Sequence, residues 1–471
     1  MGDIPKLYNY LLYGKGTNVR IVTPPLVVED GDSFKKDILD RKSYGEALLN
    51  IVARSSDALV ISLDGKWGEG KTTFVKMWQG LLSESNIPNL YIDAFSNDYI
   101  DDAFITVASA ITNFAEKNII KGHREKVAEL KEKSKKVGSQ LLSWSARIGV
   151  KAATLGIIKD ADIDELKDIK GDLSKTASDL VGEFVEERIA AHSKDVELIK
   201  AFRELLSELP SKLQSEGNKP LVIIIDELDR CKPTFAVEIV EKIKHLFSVQ
   251  NVVFLLVMNK TQLEESIKSV YGQNIDASTY LQKFVNIETK LPKHTGERYT
   301  NDLSKYTNRL LQLHELQTWG DDRNIVDCAE LLANHFNLSL RQLEKVFTNL
   351  AVFYGASAEN HLRLVPIIVF LAVVKVVDPP LFDALLHKRV SYADVIEKLK
   401  LHNLDEESER NRKMYWLMQW VRYGLLSEKE FNKLPEEDEI RRFDKSLWQY
   451  NISRERLIPS FAQQLSMFVV R

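Results

Sequence analysis

The chain has almost no cysteine: Cys231 and Cys328 are the only two in 471 residues. Two thiols build neither a disulfide scaffold nor a cysteine zinc site, so an intracellular, cytoplasmic chain is expected. No H-E-x-x-H, no Cys/His cluster and no G-x-S-x-G occurs, and the nine histidines are scattered. Metalloenzyme and triad-hydrolase readings therefore have no footing. An excess of one charge is missing too. The 64 basic and 68 acidic side chains leave −4, so no overall field recruits nucleic acid or an anionic membrane, and such contact needs a local patch. Met1 to Tyr13 has no basic stretch followed by a long apolar run, so no signal peptide is expected. The apolar run Val365 to Val377 is too short to span a bilayer and carries Pro366 and Lys375, which predicts a buried core helix. No repeat or low-complexity tract occurs.

What is present is the composition of a globular chain, 44% hydrophobic and 28% charged, long enough for two or three domains. Short apolar runs rich in β-branched residues recur at Ala58–Leu63, Asn89–Ile92, Leu221–Ile225, Val252–Val257 and Val285–Leu291. Helix-period segments lie between most of them, so the spacing predicts an α/β fold with a parallel sheet covered on both faces. Between residues 101 and 220 the strand signal disappears, and from about His294 the pattern is helical throughout. The expected organisation is an N-terminal arm over 1–40 and an α/β core over 41–100 and 221–293. A helical insert occupies 101–220, a helical lid 294–352, and a C-terminal helical region 353–471.

The strongest motif is Gly65-Lys66-Trp67-Gly68-Glu69-Gly70-Lys71-Thr72, which satisfies G-x-x-x-x-G-K-[ST] between a strand and a helical run that begins at Thr73. Glycines let successive N–H groups turn into one anion-binding hollow at a helix N-terminus, which makes Gly65 to Thr73 the candidate nucleotide-binding segment (the Walker A loop). Lys71 is expected to reach the β- and γ-phosphates, and Thr72 to offer its hydroxyl to Mg²⁺. The run from Leu221 to Asp226-Glu227-Leu228-Asp229-Arg230 is a strand delivering acids at its C-terminal edge, the Walker B pattern. Asp226 is the expected holder of the Mg²⁺ shell, and Glu227 is free to polarise the attacking water. At the tip of a neighbouring strand, Asn259 suits a γ-phosphate sensor and equally suits plain turn chemistry. Asn259-Lys260-Thr261-Gln262 lacks the Asp of the guanine-reading motif, so ATP is the expected nucleotide, with guanine the alternative left open.

These residues, with Leu39-Asp40-Arg41 ahead of a helix and Asp226-Glu227-Leu228-Asp229-Arg230-Cys231, resemble the KAP family of P-loop NTPases over about residues 36–292, and more weakly over the helices to about 352. The resemblance implies an additional-strand, catalytic-glutamate core related to AAA+ and STAND ATPases. It also implies Mg-ATP hydrolysis, a homo-oligomer, and a role such as anti-phage defence with a companion effector protein. Where many members show N-A-W-x-Y, this chain has Asp93-Ala94-Phe95-Ser96-Asn97-Asp98-Tyr99, and Asn259 stands where Asp is frequent. Similarity to AAA+ cores implies a lid arginine at Arg341, just after the Ser339/Gln342 capping box, or else an exposed arginine without a partner. It also implies a cation reaching a neighbour's γ-phosphate, with Lys283 the first choice and Arg230 the second; the alternative is a solvated lysine at a helix C-terminus.

Many relatives carry transmembrane helices where this chain has its insert. Val137 to Ile158 holds Arg147 and Lys151, each costing about 2.5–3.5 kcal/mol in a bilayer, which argues against a span. Its apolar stripe (Leu141, Trp144, Ile148, Ala152, Leu155) suits a packed helix. A membrane-surface helix over 121–158, approached through the basic run Lys121–Lys136, is the alternative. Three function classes stand: a Mg-dependent ATPase, an ATP-gated assembly platform with little turnover, and a DNA-associated ATPase, for which no nucleic-acid module is visible.

Overall fold

The computed structural model describes residues 20–24, 33–99, 102–119, 124–137, 197–213, 219–294, 301–401, 409–447 and 453–467. Five parallel strands form its centre: β1 (Leu59–Asp64), β2 (Asn89–Asp93), β3 (Leu221–Asp226), β4 (Val252–Met258) and β5 (Ile287–Lys290), in the order β2-β3-β4-β1-β5. β3 and β4 are buried along their whole length. That is why they read as unbroken Val/Ile/Leu runs rather than alternating ones. β4 separates the strand that feeds the phosphate loop from the strand that ends in Asp226, so the sheet is of the additional-strand type. β5 is shorter than the run Val285–Leu291. Its pairing nevertheless extends past both ends, through Asn286 N–H to Val60 O (2.8 Å) and Leu291 N–H to Asp64 O (3.0 Å).

The period of two sorts the strand residues between two cores. Ile61, Leu63, Val222, Ile224, Val253 and Leu255 pack with Phe74 and Trp78 of α2 (Lys71–Glu84) and with Leu48 and Val52 of α1 (Lys42–Ala53). Val60, Ile223, Ile225, Phe254 and Leu256 pack on the other face. That face is covered by α3 (Ala103–Asn118), α4 (124–137), α5 (197–208) and α6 (Pro233–Lys242), where Phe104, Phe202 and Phe247 meet ring to ring. α7 (Lys260–Tyr271) and α8 (Ala277–Gln282) complete it. α4 turns Val127, Leu130 and Val137 inward. Its lysines pair with glutamates, Lys131 with Glu116 at 2.6 Å and Lys133 with Glu129 at 3.5 Å, the arrangement of a solvated helix face. The stripes assigned to 138–158 lie outside the described residues.

The second half is helical, with α9 (Asp302–His314), α10 (Asp322–His335), α11 (Leu340–Gly355) and α12 (Val365–Val377), followed by six more described helices up to Ser466. One apolar cluster runs from Leu310 through α10–α12 to Leu465, and no break in it separates 301–352 from the rest. α12 is buried from Val365 to Val374, as its composition predicts, and Lys375 at its end donates to Asn349 Oδ1 (2.9 Å) and Leu465 O (2.5 Å). Among the described residues no helix is long and apolar enough to cross a membrane.

Candidate functional site

Gly65 leaves β1 with its N–H on Met258 O (3.1 Å), and the loop then turns through Gly68 (φ +79°) and Gly70 (φ +82°) into α2. Both glycines occupy the left-handed region, where a Cβ is costly. Lys71 is the first residue of α2 and only 9% exposed. Its ammonium closes the loop on itself by donating to Gly65 O (2.5 Å) and Lys66 O (3.3 Å). Burial draws its pKa below the usual lysine range, against the opposing pull of Asp229, Asp226, Glu69 and Asp64. Glu69 faces away from the hollow: it takes the N–H of Lys66 (2.9 Å) and pairs with Lys293.

Asp226 is 1% exposed at the end of β3. Its carboxylate accepts from Glu227 N–H (2.8 Å) and from the Tyr91 hydroxyl (3.0 Å), and the Thr72 hydroxyl stands near it. Burial raises its pKa and these donors lower it. Glu227 has a left-handed backbone (φ +59°), rare for a residue with a side chain and a mark of positions held by their surroundings. Its carboxylate pairs with Arg230 Nη1 at 2.7 Å. Burial raises its pKa above the ordinary range, Arg230 draws it down, Asp226 and Asp93 push it up, and Arg341 draws it down. The Trp67 indole N–H donates to Asp229, which ties the phosphate loop to the acidic turn.

α11 reaches this edge from the helical half. Ser339 and Gln342 make the expected capping box, and Arg341 N–H donates to Gly68 O at 3.2 Å. From the other side Arg41 Nη1 donates to Glu69 O at 3.1 Å. Lys66, Trp67, Gly68, Gly70, Lys71, Thr72 and Thr73 line a cavity of about 740 Å³ with Asp226, Glu227, Arg230 and Arg341. Thr23, Pro24, Ile38, Tyr306, Leu313 and Leu340 are among its other lining residues, and these six carry no sequence motif. The first three precede α1, Tyr306 and Leu313 lie in α9 and Leu340 opens α11, so only tertiary packing brings them together.

Two candidates stand elsewhere. Asn259 ends β4 as the N-cap of α7, outside the cavity lining, while the next residue's N–H donates to Asp64 Oδ1 (2.9 Å). Lys283 caps α8, exposed, with its ammonium 5.4 Å from the Tyr280 ring centre. The donor set of the cavity fits a phosphate chain with a divalent cation. A positive-φ glycine turn and an ammonium stand on one wall, and a hydroxyl with a buried carboxylate on the other.

The model of the KAP family P-loop domain matches residues 41–356. An uncharacterised protein of Methanocaldococcus jannaschii is 33% identical over 130 residues, 26% of this chain and 64% of that protein. The phage T7 exclusion protein of Escherichia coli K12 is 21% identical over 372 residues, 73% of this chain and 45% of that one. The chain thus spans less than two thirds of either relative. Among solved structures, the Aeropyrum pernix ORC2 protein in its ADPNP–ADP complexes is 14% identical, covering 93% of this chain and 98% of its own, at a TM-score of 0.33. That likeness is too weak to carry an argument.

Proposed function

The chain belongs to the KAP family of P-loop NTPases, and on that premise we propose that it binds Mg-ATP and hydrolyses it. The observation that carries this is the single cavity joining Lys71, Thr72, Asp226 and Glu227 to Arg341 of the helical half. Lys71 and the N–H groups of Gly68–Thr73 hold the β- and γ-phosphates. Thr72 and Asp226 hold Mg²⁺, which when bound neutralises charge on the phosphate oxygens. Glu227 takes the proton of the attacking water, through the carboxylate oxygen that is not on Arg230 Nη1 or after leaving that pair. Arg341 adds a cation from the lid side. The test is phosphate release by purified protein with Mg²⁺ or with chelator, and with or without DNA. No release under any condition would remove the hydrolase reading, and release only with DNA would favour a DNA-associated ATPase.

A second reading, an ATP-gated platform with little turnover, is favoured by the 2.7 Å pair that holds Glu227 on Arg230. Binding without multiple turnover would select it. The similarity to the phage T7 exclusion protein supports a wider proposal: that the chain serves in anti-phage defence, as a homo-oligomer with a companion effector. Plaque counts on hosts carrying the wild type or Lys71→Ala test it.

A further inference from the structure

We infer that Arg41 is the positioning residue through which the helical lid acts on the phosphate loop, an inference that rests on the nucleotide reading above. Arg41 stands just before α1 and is 4% exposed. A guanidinium so buried ordinarily has its five donors taken up. Here Nη1 donates to Glu69 O at 3.1 Å, inside the phosphate loop, and Nε has no partner. Nη2 stops 4.0 Å from Asp302 Oδ2, and Asp302 is the first residue of α9 in the helical half. Burial lowers the arginine's pKa, and Asp302, Asp37 and Glu69 oppose that shift.

The guanidinium is therefore bonded on the loop side and falls short on the lid side. A charge-assisted N–H···O bond needs roughly 2.8 Å, so α9 is about 1 Å too distant to complete it. Asp302 itself is held in place by His294, through its N–H (3.1 Å) and Nδ1 (3.0 Å). Arg41 cannot follow the lid without disturbing the loop. A Cβ on the adjacent Gly70 would come within 3.2 Å of Nη1, so the guanidinium rests against the loop backbone. Movement of α9 toward the core would give Arg41 its second hydrogen bond while it still holds Glu69 O. A lid drawn in by ATP would then fix the loop in its phosphate-binding shape, and a lid released after hydrolysis would loosen it.

The experiment is a double-mutant cycle of Arg41→Lys, Asp302→Asn and the double variant, read as the affinities for labelled ATP and ADP and as the thermal midpoint without nucleotide. Each single variant should weaken ATP about tenfold, a typical coupling between sites, and ADP much less. The double variant should be no worse than either single one. Additive losses, or equal losses for ATP and ADP that follow the thermal midpoint, would make Arg41 an ordinary structural arginine. If Arg41→Lys does not fold, Asp302→Asn alone decides, and an unchanged ATP-to-ADP ratio overturns the inference. Wild-type protein that binds neither nucleotide overturns the nucleotide reading and this inference with it, whereas failure of the cycle alone leaves that reading standing.

Discussion

The main-chain N–H of Arg341 donates to the carbonyl of Gly68 at 3.2 Å. A first-turn donor of α11, which has no acceptor within its own helix, is satisfied by the backbone of the phosphate loop. α11 and the phosphate loop thus share a peptide hydrogen bond, with no side chain between them.

This closeness predicts the effect of Gly68→Ala. The new Cβ would lie 2.7 Å from Arg341 Cβ and 3.0 Å from Ser339 Oγ, at a backbone φ of +79°. Strain of about 1–3 kcal/mol is expected, with a thermal midpoint lower by several degrees. Because the clash is with the start of α11, which lines the cavity, ATP affinity should fall as well. An unchanged midpoint and unchanged ATP binding would mean that α11 does not rest on the loop in solution.

Lys71→Ala should abolish nucleotide binding, since the phosphates lose the ammonium at the base of the hollow. Glu227→Gln should bind ATP normally and stop phosphate release, because shape survives and the base does not. Normal turnover in Glu227→Gln would shift the catalytic role to Asp229.

Glu227 acts as a base only when ionised. Its pKa is raised by burial, so the rate should climb with pH through a limb above the ordinary glutamate value of about 4.3. Arg230 lowers that pKa, so Arg230→Gln should move the limb to higher pH. Single-turnover rates across pH check this. A limb that stays in place would show that the pair does not govern the base.

Arg341→Ala should weaken ATP more than ADP, because Arg341 faces the cavity near Glu227, where a γ-phosphate would sit. Titration with both nucleotides measures the ratio. Equal losses would leave Arg341 with a role in packing alone.

Lys283 lies outside its own chain's cavity, so a catalytic role for it requires a neighbouring copy. Lys283→Ala and Lys71→Ala proteins should each be inactive, and their mixture should regain part of the turnover. Full activity of dilute monomer would exclude the idea.

The nucleotide core was legible because its signals are local. Four of the strands both begin and end within a residue of their apolar runs, and the glycine pattern from Gly65 to Gly70 suits a phosphate loop. The capping box at Ser339 was equally plain. The ties of Trp67 to Asp229, Glu227 to Arg230 and Arg41 to Glu69 were not legible as contacts. The first and last of these join segments far apart in the chain, and periodicity reports which face is buried without naming what covers it. For the same reason the helical half reads as two regions in sequence, whereas its residues share one core.

That shared core sets what motion at the nucleotide can do. α9 and α11 touch the phosphate-loop side, while their inner faces are packed into the same cluster as α12 and the helices out to Leu465. Close packing resists internal shear. Displacement of α11 by a fraction of an ångström therefore cannot be absorbed locally. On the proposed nucleotide reading, such a displacement would turn the shared core as one unit, and the motion would grow with distance from the loop.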